Sequence, residues 1–144
     1  GKSDGRYCEN KVKQEFKTEK KNSLWAGDIT YIKTSVGWVY LAVVMDLFNR
    51  EIIGYSLSKK IDTELVKGAL GNAIGRNGVD NNLIFHSDRG CQYSSKGYQQ
   101  LLEEKGITGS MSRPGCSYDN ACVENFFASL KKEKIYRRDD KKNY

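Results

Sequence analysis

The chain has 144 residues, 38% of them hydrophobic and 29% charged, and a formal net charge of +6 from 24 Lys and Arg against 18 Asp and Glu. That composition fits one globular domain with a single core and argues against wholesale disorder. No apolar run approaches the roughly 18 residues of a membrane span, the longest being Trp38–Met45, and no segment has the layout of a signal peptide.

The chain opens on a polar stretch, residues 1–22, read as a flexible basic arm or linker with a short extended piece near Val12–Phe16. From Leu24 the pattern alternates, with Ile29, Thr30, Tyr31 and Ile32 marking a strand that ends near Thr34. A turn at Ser35–Gly37 leads into Trp38–Met45, continuously apolar as a strand covered on both faces should be. Asp46–Arg50 breaks this run, and Glu51–Leu57 makes a third strand, completing an antiparallel meander.

Asp62 and Thr63 then open a helix, in which Leu65, Val66, Ala69, Leu70, Ala73 and Ile74 repeat at the helical period, and which stops near Arg76–Gly78. Leu83–Phe85 reads as a short buried strand. Ser94 or Ser95 caps a second helix carrying Tyr98, Leu101 and Leu102, with Gly106 as its stop. Ile107–Met111 is another short strand, Arg113–Ser117 a loop, and a third long helix carries Val123, Phe126, Phe127 and Leu130 on one side before ending in basic residues. The order β-β-β-α-β-α-β-α implies a mixed five-stranded α/β sheet with helices on both faces. Trp25 and Trp38 are expected in the core.

The positive charge gathers at the two ends. Lys11, Lys13, Lys17, Lys20 and Lys21 lie in one cluster; Lys131, Lys132, Lys134, Arg137, Arg138, Lys141 and Lys142 lie in the other. Such ends suit a polyanionic partner, nucleic acid above all. Cys8, Cys91, Cys116 and Cys122 show no C-x-x-C spacing, and His86 is the single histidine. A zinc centre or a disulfide framework is therefore poorly supported, and reduced thiols in a cytosolic protein are expected. With one histidine, chemistry falls to carboxylates.

Three acids stand on three separate elements: Asp28 in the first strand, Asp88 just past the fourth, and Glu124 on the last helix. Carboxylates brought together repel one another, and a divalent cation cancels the repulsion. Mg²⁺ takes one or two carboxylates and completes its shell with water and substrate phosphate. A pair of such ions serves phosphoryl transfer. On spacing alone, however, the same acids read as a strand-end charge, a turn residue and a helix surface charge.

Longer blocks of sequence separate these readings. Trp25-Ala-Gly-Asp28-Ile-Thr-Tyr31, Val43-Val-Met-Asp46-Leu-Phe-Asn-Arg50, His86-Ser-Asp88-Arg-Gly90-Cys-Gln-Tyr93-Ser, and the run from Ser110 through Glu124 to Phe127 occur in this order. Together they resemble the catalytic core of bacterial insertion-sequence transposases, of the retroviral-integrase-like Asp-Asp-Glu type. Thirty-five residues separate Asp88 from Glu124, the gap characteristic of that family. The resemblance covers about residues 12 to 136.

It implies a ribonuclease H-like fold and a triad of Asp28, Asp88 and Glu124 that is catalytic and holds Mg²⁺ or Mn²⁺, two ions completed by DNA. The implied activity is phosphodiester hydrolysis at transposon ends followed by strand transfer from the freed 3′-hydroxyl. A ribonuclease H-like nuclease or resolvase and an inactive DNA-binding module are the alternatives. The implied partners are DNA, as transposon ends and target, and further copies of the protein, with no membrane; the implied location is the bacterial cytoplasm, at the nucleoid. Lys131, Lys132, Arg113 and Asn120 are expected to contact DNA, and Asn120 and Lys131 share the helix face of Glu124. His86 is expected to make a structural hydrogen bond, Asp46 to serve a turn with Arg50, and Arg89–Gly90 to form the turn presenting Asp88. The core is expected over residues 23–138 and a truncated tail over 139–144. The family's helix-turn-helix region is missing, so the chain reads as an excised core. Ala26-Gly27 before Asp28 departs from the bulkier pair usual there.

Overall fold

The structure, a computed structural model, describes residues 20–111 and Ala128. Five strands, β1 (Leu24–Thr34), β2 (Gly37–Asp46), β3 (Glu51–Ser58), β4 (Ile84–Ser87) and β5 (Thr108–Met111), form one sheet in the order β3-β2-β1-β4-β5. The meander β1–β2–β3 is antiparallel, whereas β4 joins β1, and β5 joins β4, in parallel. Helix α1 (Thr63–Asn77) crosses from β3 to β4; a single turn α2 (Cys91–Ser94) and then α3 (Lys96–Glu104) cross from β4 to β5. The expected element order holds as far as β5, with α2 as an unforeseen addition. The last long helix lies outside the described residues, as do Val12–Phe16, Cys8, Cys116 and Cys122.

The elements start and stop where local chemistry dictates. Asp62 caps α1 by accepting from the Leu65 N–H at 3.1 Å, and Gly78, at φ 71°, ends it by donating to the Ile74 carbonyl at 2.7 Å. Ser95 caps α3 through its hydroxyl, which accepts from the Tyr98 N–H at 3.2 Å, and Gly106 reverses the chain at φ 72°. Each side-chain cap contributes about 1 kcal/mol.

Alternation sorts the strands onto two faces. Trp25, Ala42, Val44, Ile53 and Phe85 meet the buried stripe of α1 and the aromatic residues of α2 and α3. Leu24, Ala26, Leu41, Val43, Met45 and Leu47 form a second buried cluster on the other face. Each such fully buried side chain of Leu or Val size contributes about 1.5–3 kcal/mol. Helix α1 lies unusually close to β3: a Cβ on Gly54 would collide with the Ala69 carbonyl oxygen and crowd the Ala73 backbone. The register between β2 and β3 shifts at Val44 and Met45, a bulge that bends the edge strand under the helix.

One expectation fails here. Trp25 is fully buried, but Trp38 is 55% exposed. β3 last pairs with β2 at Tyr40–Ser58, while β1 and β2 continue to Thr34–Gly37. The outer end of this hairpin is thus a two-stranded ribbon, on which Trp38 stacks edge-on against the equally exposed Tyr31, centroids 5.1 Å apart. An apolar run reads as buried only where neighbouring strands extend as far as it does.

Candidate active site

β1 and β4 run parallel with Leu24 opposite Ile84, Trp25 opposite Phe85 and Ala26 opposite His86, a constant offset of 60 residues. Asp28 and Asp88 each lie two residues beyond the last paired residues of this ladder, Ala26 and His86. Asp88 follows the last residue of β4 and is exposed; Asp28 is half-buried in β1. Both therefore stand toward the C-terminal edge of the parallel strands, where open α/β sheets bind ligands. The parallel pairing of β1 and β4 thus carries two acids separated by 59 intervening residues toward one edge of the sheet.

Each carboxylate is oriented by backbone close at hand. Asp28 Oδ1 accepts from the Ile29 N–H at 2.8 Å, and Asp88 Oδ1 accepts from the Gly90 N–H at 2.7 Å. The second bond closes the expected tight turn through Arg89. Gly90 in turn starts α2, its carbonyl accepting from the Tyr93 and Ser94 N–H groups at 3.1 and 3.0 Å. Behind the turn stands a triangle of rings: Phe85–Tyr93 at 6.0 Å, Phe85–Tyr98 at 5.6 Å and Tyr93–Tyr98 at 5.3 Å.

Tyr93 reports on the charge nearby. Its phenol is held well above the usual pKa of 10.0, first by burial, then by Tyr98, and then by the negative charges of both Asp28 and Asp88. A single buried phenol thus feels both carboxylates, and it stays neutral at physiological pH. Tyr98 is likewise raised by burial, and its hydroxyl, buried in the same cluster, has no hydrogen-bond partner among the described residues.

The residues nearby take the roles their surroundings allow. His86 is buried, with Nδ1 3.0 Å from the Ser110 hydroxyl across β4 and β5, the structural hydrogen bond expected of it. Asp46 is also structural. It is fully buried, and its carboxylate accepts from the Asn22 N–H at 2.9 Å and the Phe48 N–H at 3.0 Å, while its carbonyl accepts from the Arg50 N–H at 2.8 Å. Cys91 is exposed at the start of α2. The other expected site residues, Glu124, Asn120, Arg113, Lys131 and Lys132, lie outside the described residues.

Tyr93 and Phe85 also belong to this region, and nothing in the sequence pattern had marked their part in it. Phe85 and Tyr93 lie on different elements and share no periodicity. Gly27 did stand out as an unusually small residue before Asp28, and the structure supplies the reason: a Cβ there would collide with the tip of the Phe85 ring.

Two oxygen-donor carboxylates at one sheet edge suit a hard divalent cation that takes few protein ligands. Among the described residues, no group of three or more His, Cys, Asp or Glu gathers into a metal site.

The sequence model of the integrase core domain matches residues 18–117. The chain belongs to the integrase core domain family. This integrase core is 50% identical over 128 residues to the transposase InsF of insertion sequence IS3A from Escherichia coli K12, a match covering 89% of the chain and 44% of the relative. It is 44% identical over 126 residues to the transposase of insertion sequence element IS904 from Lactococcus lactis, covering 88% and 50% respectively. The chain thus spans about half the length of the curated relatives it matches.

Solved structures show the same fold. The integrase core superimposes with a TM-score of 0.76 on a chain of the simian T-cell lymphotropic virus intasome in complex with a PP2A regulatory subunit, at 24% identity, covering 85% of this chain and 43% of the other. Against the HTLV-2 integrase catalytic core domain in complex with magnesium, the TM-score is 0.65 at 24% identity, covering 78% and 69%. The mixed five-stranded sheet is therefore the ribonuclease H-like fold that the sequence blocks implied.

Proposed function

We propose that this chain is the catalytic core of a DNA transposase, over about residues 23–138, that nicks DNA at transposon ends and joins the freed 3′-hydroxyl to a target. The observation that supports this reading is the parallel β1–β4 pairing, which ends two residues before both Asp28 and Asp88 in a sheet belonging to this family. Half-identity to InsF supports the insertion-sequence branch over other members.

In this reading Asp28, Asp88 and Glu124 hold Mg²⁺ or Mn²⁺. Held there, such ions would supply charge stabilisation to the oxygens of a phosphodiester displacement. The chain's own part is positional. The Gly90 and Ile29 N–H groups fix the Asp88 and Asp28 carboxylates, and the neutral Tyr93 phenol adds no further negative charge beside them. Lys131, Lys132, Arg113 and Asn120 contact the DNA, and the basic ends hold its phosphates.

We further propose that the active complex contains several copies of the protein and works in the bacterial cytoplasm, at the nucleoid. No helix among the described residues is long and apolar enough to cross a membrane. A strand-transfer assay on the protein, with the ends of the element that carries its gene, tests the reading. Joining that needs Mg²⁺ or Mn²⁺ and disappears in Asp88→Ala is expected. Wild type that joins nothing, or Asp88→Ala that still joins, contradicts it.

A further inference from the structure

The backbone ladder between β1 and β4 ends at Ala26 and His86, two residues short of the acids. Beyond it, Asp28 continues along a strand paired with β2, whereas Asp88 enters an exposed turn. Something other than strand pairing must set one carboxylate against the other.

The contacts already described supply a continuous path. Gly27, next to Asp28, lies against the Phe85 ring so closely that no Cβ fits between them. Phe85 meets Tyr93 at 6.0 Å, and Tyr98 completes the triangle from α3. The Tyr93 N–H donates to the Gly90 carbonyl at 3.1 Å, and the Gly90 N–H donates to Asp88 Oδ1 at 2.7 Å. The path therefore runs from one acid to the other through Tyr93, which is buried.

We propose that Tyr93 is a positioning residue for the carboxylate pair: its ring bears on Phe85 beneath β1, its backbone holds the Gly90 turn, and it thereby fixes Asp88 relative to Asp28. The proposal rests on the reading of these acids as metal-holding groups. Its physical basis is that rings buried in a close-packed interior do not slide freely, whereas a three-residue exposed turn does. The sensitivity of the Tyr93 phenol to both carboxylates agrees with this placement. Tyr98 contacts both rings, at 5.6 Å from Phe85 and 5.3 Å from Tyr93, and is a secondary member of the device.

The test compares Tyr93→Leu with Tyr93→Phe in the whole protein by two readouts. The first is the metal dependence of DNA nicking and joining, separating the half-saturating Mg²⁺ concentration from the rate at saturating metal. Loss of the ring in Tyr93→Leu is expected to raise the half-saturating concentration about tenfold, as loss of a group supporting a metal ligand does. Tyr93→Phe, which keeps the ring and the backbone, should stay within about twofold of wild type. The second readout is amide hydrogen exchange at Gly90, which needs neither metal nor DNA. Tyr93→Leu is expected to speed it about tenfold while β2 and β3 exchange as in wild type, the mark of local opening.

If Tyr93→Leu lowers only the rate or the stability, and leaves both half-saturation and Gly90 exchange unchanged, the proposal is wrong. If wild type shows no metal-dependent reaction, the metal reading fails and Gly90 exchange alone decides. Faster exchange in Tyr93→Leu then upholds the coupling of the two acids, and unchanged exchange overturns it.

Discussion

Asp46 and Asp88 are the same residue type at opposite ends of the sheet, and they are treated in opposite ways. Asp46 lies at the N-terminal edge of the parallel strands, fully buried, with both carboxylate oxygens taken by backbone N–H groups of Asn22 and Phe48. Around it, Asn22 at φ 61° accepts from the Trp25 indole at 3.1 Å and the Asn77 amide at 3.0 Å, and the Ser23 and Leu24 carbonyls take the Ile84 and Leu47 N–H groups. That end is a closed polar network in which every member serves the fold. Asp88 stands exposed at the C-terminal edge, bonded through Oδ1 to its own turn. A carboxylate with its oxygens fully occupied holds strands together; one presented to solvent on a short turn is available to a ligand. Proximity in sequence to a family motif does not tell the two apart, since Asp46 and Asp88 both sit inside such blocks.

The comparison breaks most sharply on stability. Asp46→Ala removes a fully buried carboxylate and its bonds to the half-buried Asn22 and exposed Phe48 N–H groups, and should cost about 2 kcal/mol in urea unfolding. Asp88→Ala, at an exposed turn, should cost no more than about 0.5–1 kcal/mol while abolishing joining. Equal losses of stability for the two variants would erase the distinction.

A smaller effect separates close packing from catalysis at the open end. Gly27→Ala places a methyl against the Phe85 ring, an overpacking expected to cost about 1–3 kcal/mol. Because the ring also bears on Tyr93, joining should fall by more than the loss of folded protein explains. A variant that unfolds more easily but joins normally in its folded fraction would detach this contact from the site.

The gentlest probe is pH. The Tyr93 and Tyr98 pKa values are raised in the folded state, so folded protein binds these protons more tightly than unfolded protein does. Their contribution to stability is full below about pH 10, the unfolded value, and is lost as pH rises through the folded values. Unfolding free energy should therefore decline above about pH 10, with a shallower decline in Tyr98→Phe. An identical alkaline profile for Tyr98→Phe would contradict the assignment.

Much of this was legible in the sequence. Caps at Asp62 and at Ser94 or Ser95, of which the structure selects Ser95, the stops at Gly78 and Gly106, and the change from alternating to helical period marked elements that the structure reproduces. The order of four motif blocks implied the fold. Asp46 in its turn and His86 in its structural bond behaved as their sequence context suggested. What was not legible depends on where elements end relative to one another. Trp38 is exposed because β3 stops short of the hairpin, and no local pattern encodes a neighbour's length. The Gly27–Phe85–Tyr93 path was hidden for a related reason: it joins residues from β1, β4 and α2 through contact alone. The approach of Asp28 and Asp88 to the end of one ladder likewise comes from the parallel β1–β4 pairing, which only the folded sheet specifies.

The most direct test of the central claim exchanges the ligand atom at residue 88. Asp88→Cys replaces a hard oxygen with a soft sulfur, which disfavours Mg²⁺ and is better tolerated by softer cations. If Asp88 holds the metal, this variant should fail to join DNA in Mg²⁺ and recover a measurable part of its activity in Mn²⁺. Wild-type joining by Asp88→Cys in Mg²⁺, or equal inactivity in both metals with the fold intact, would contradict a metal-holding role for Asp88.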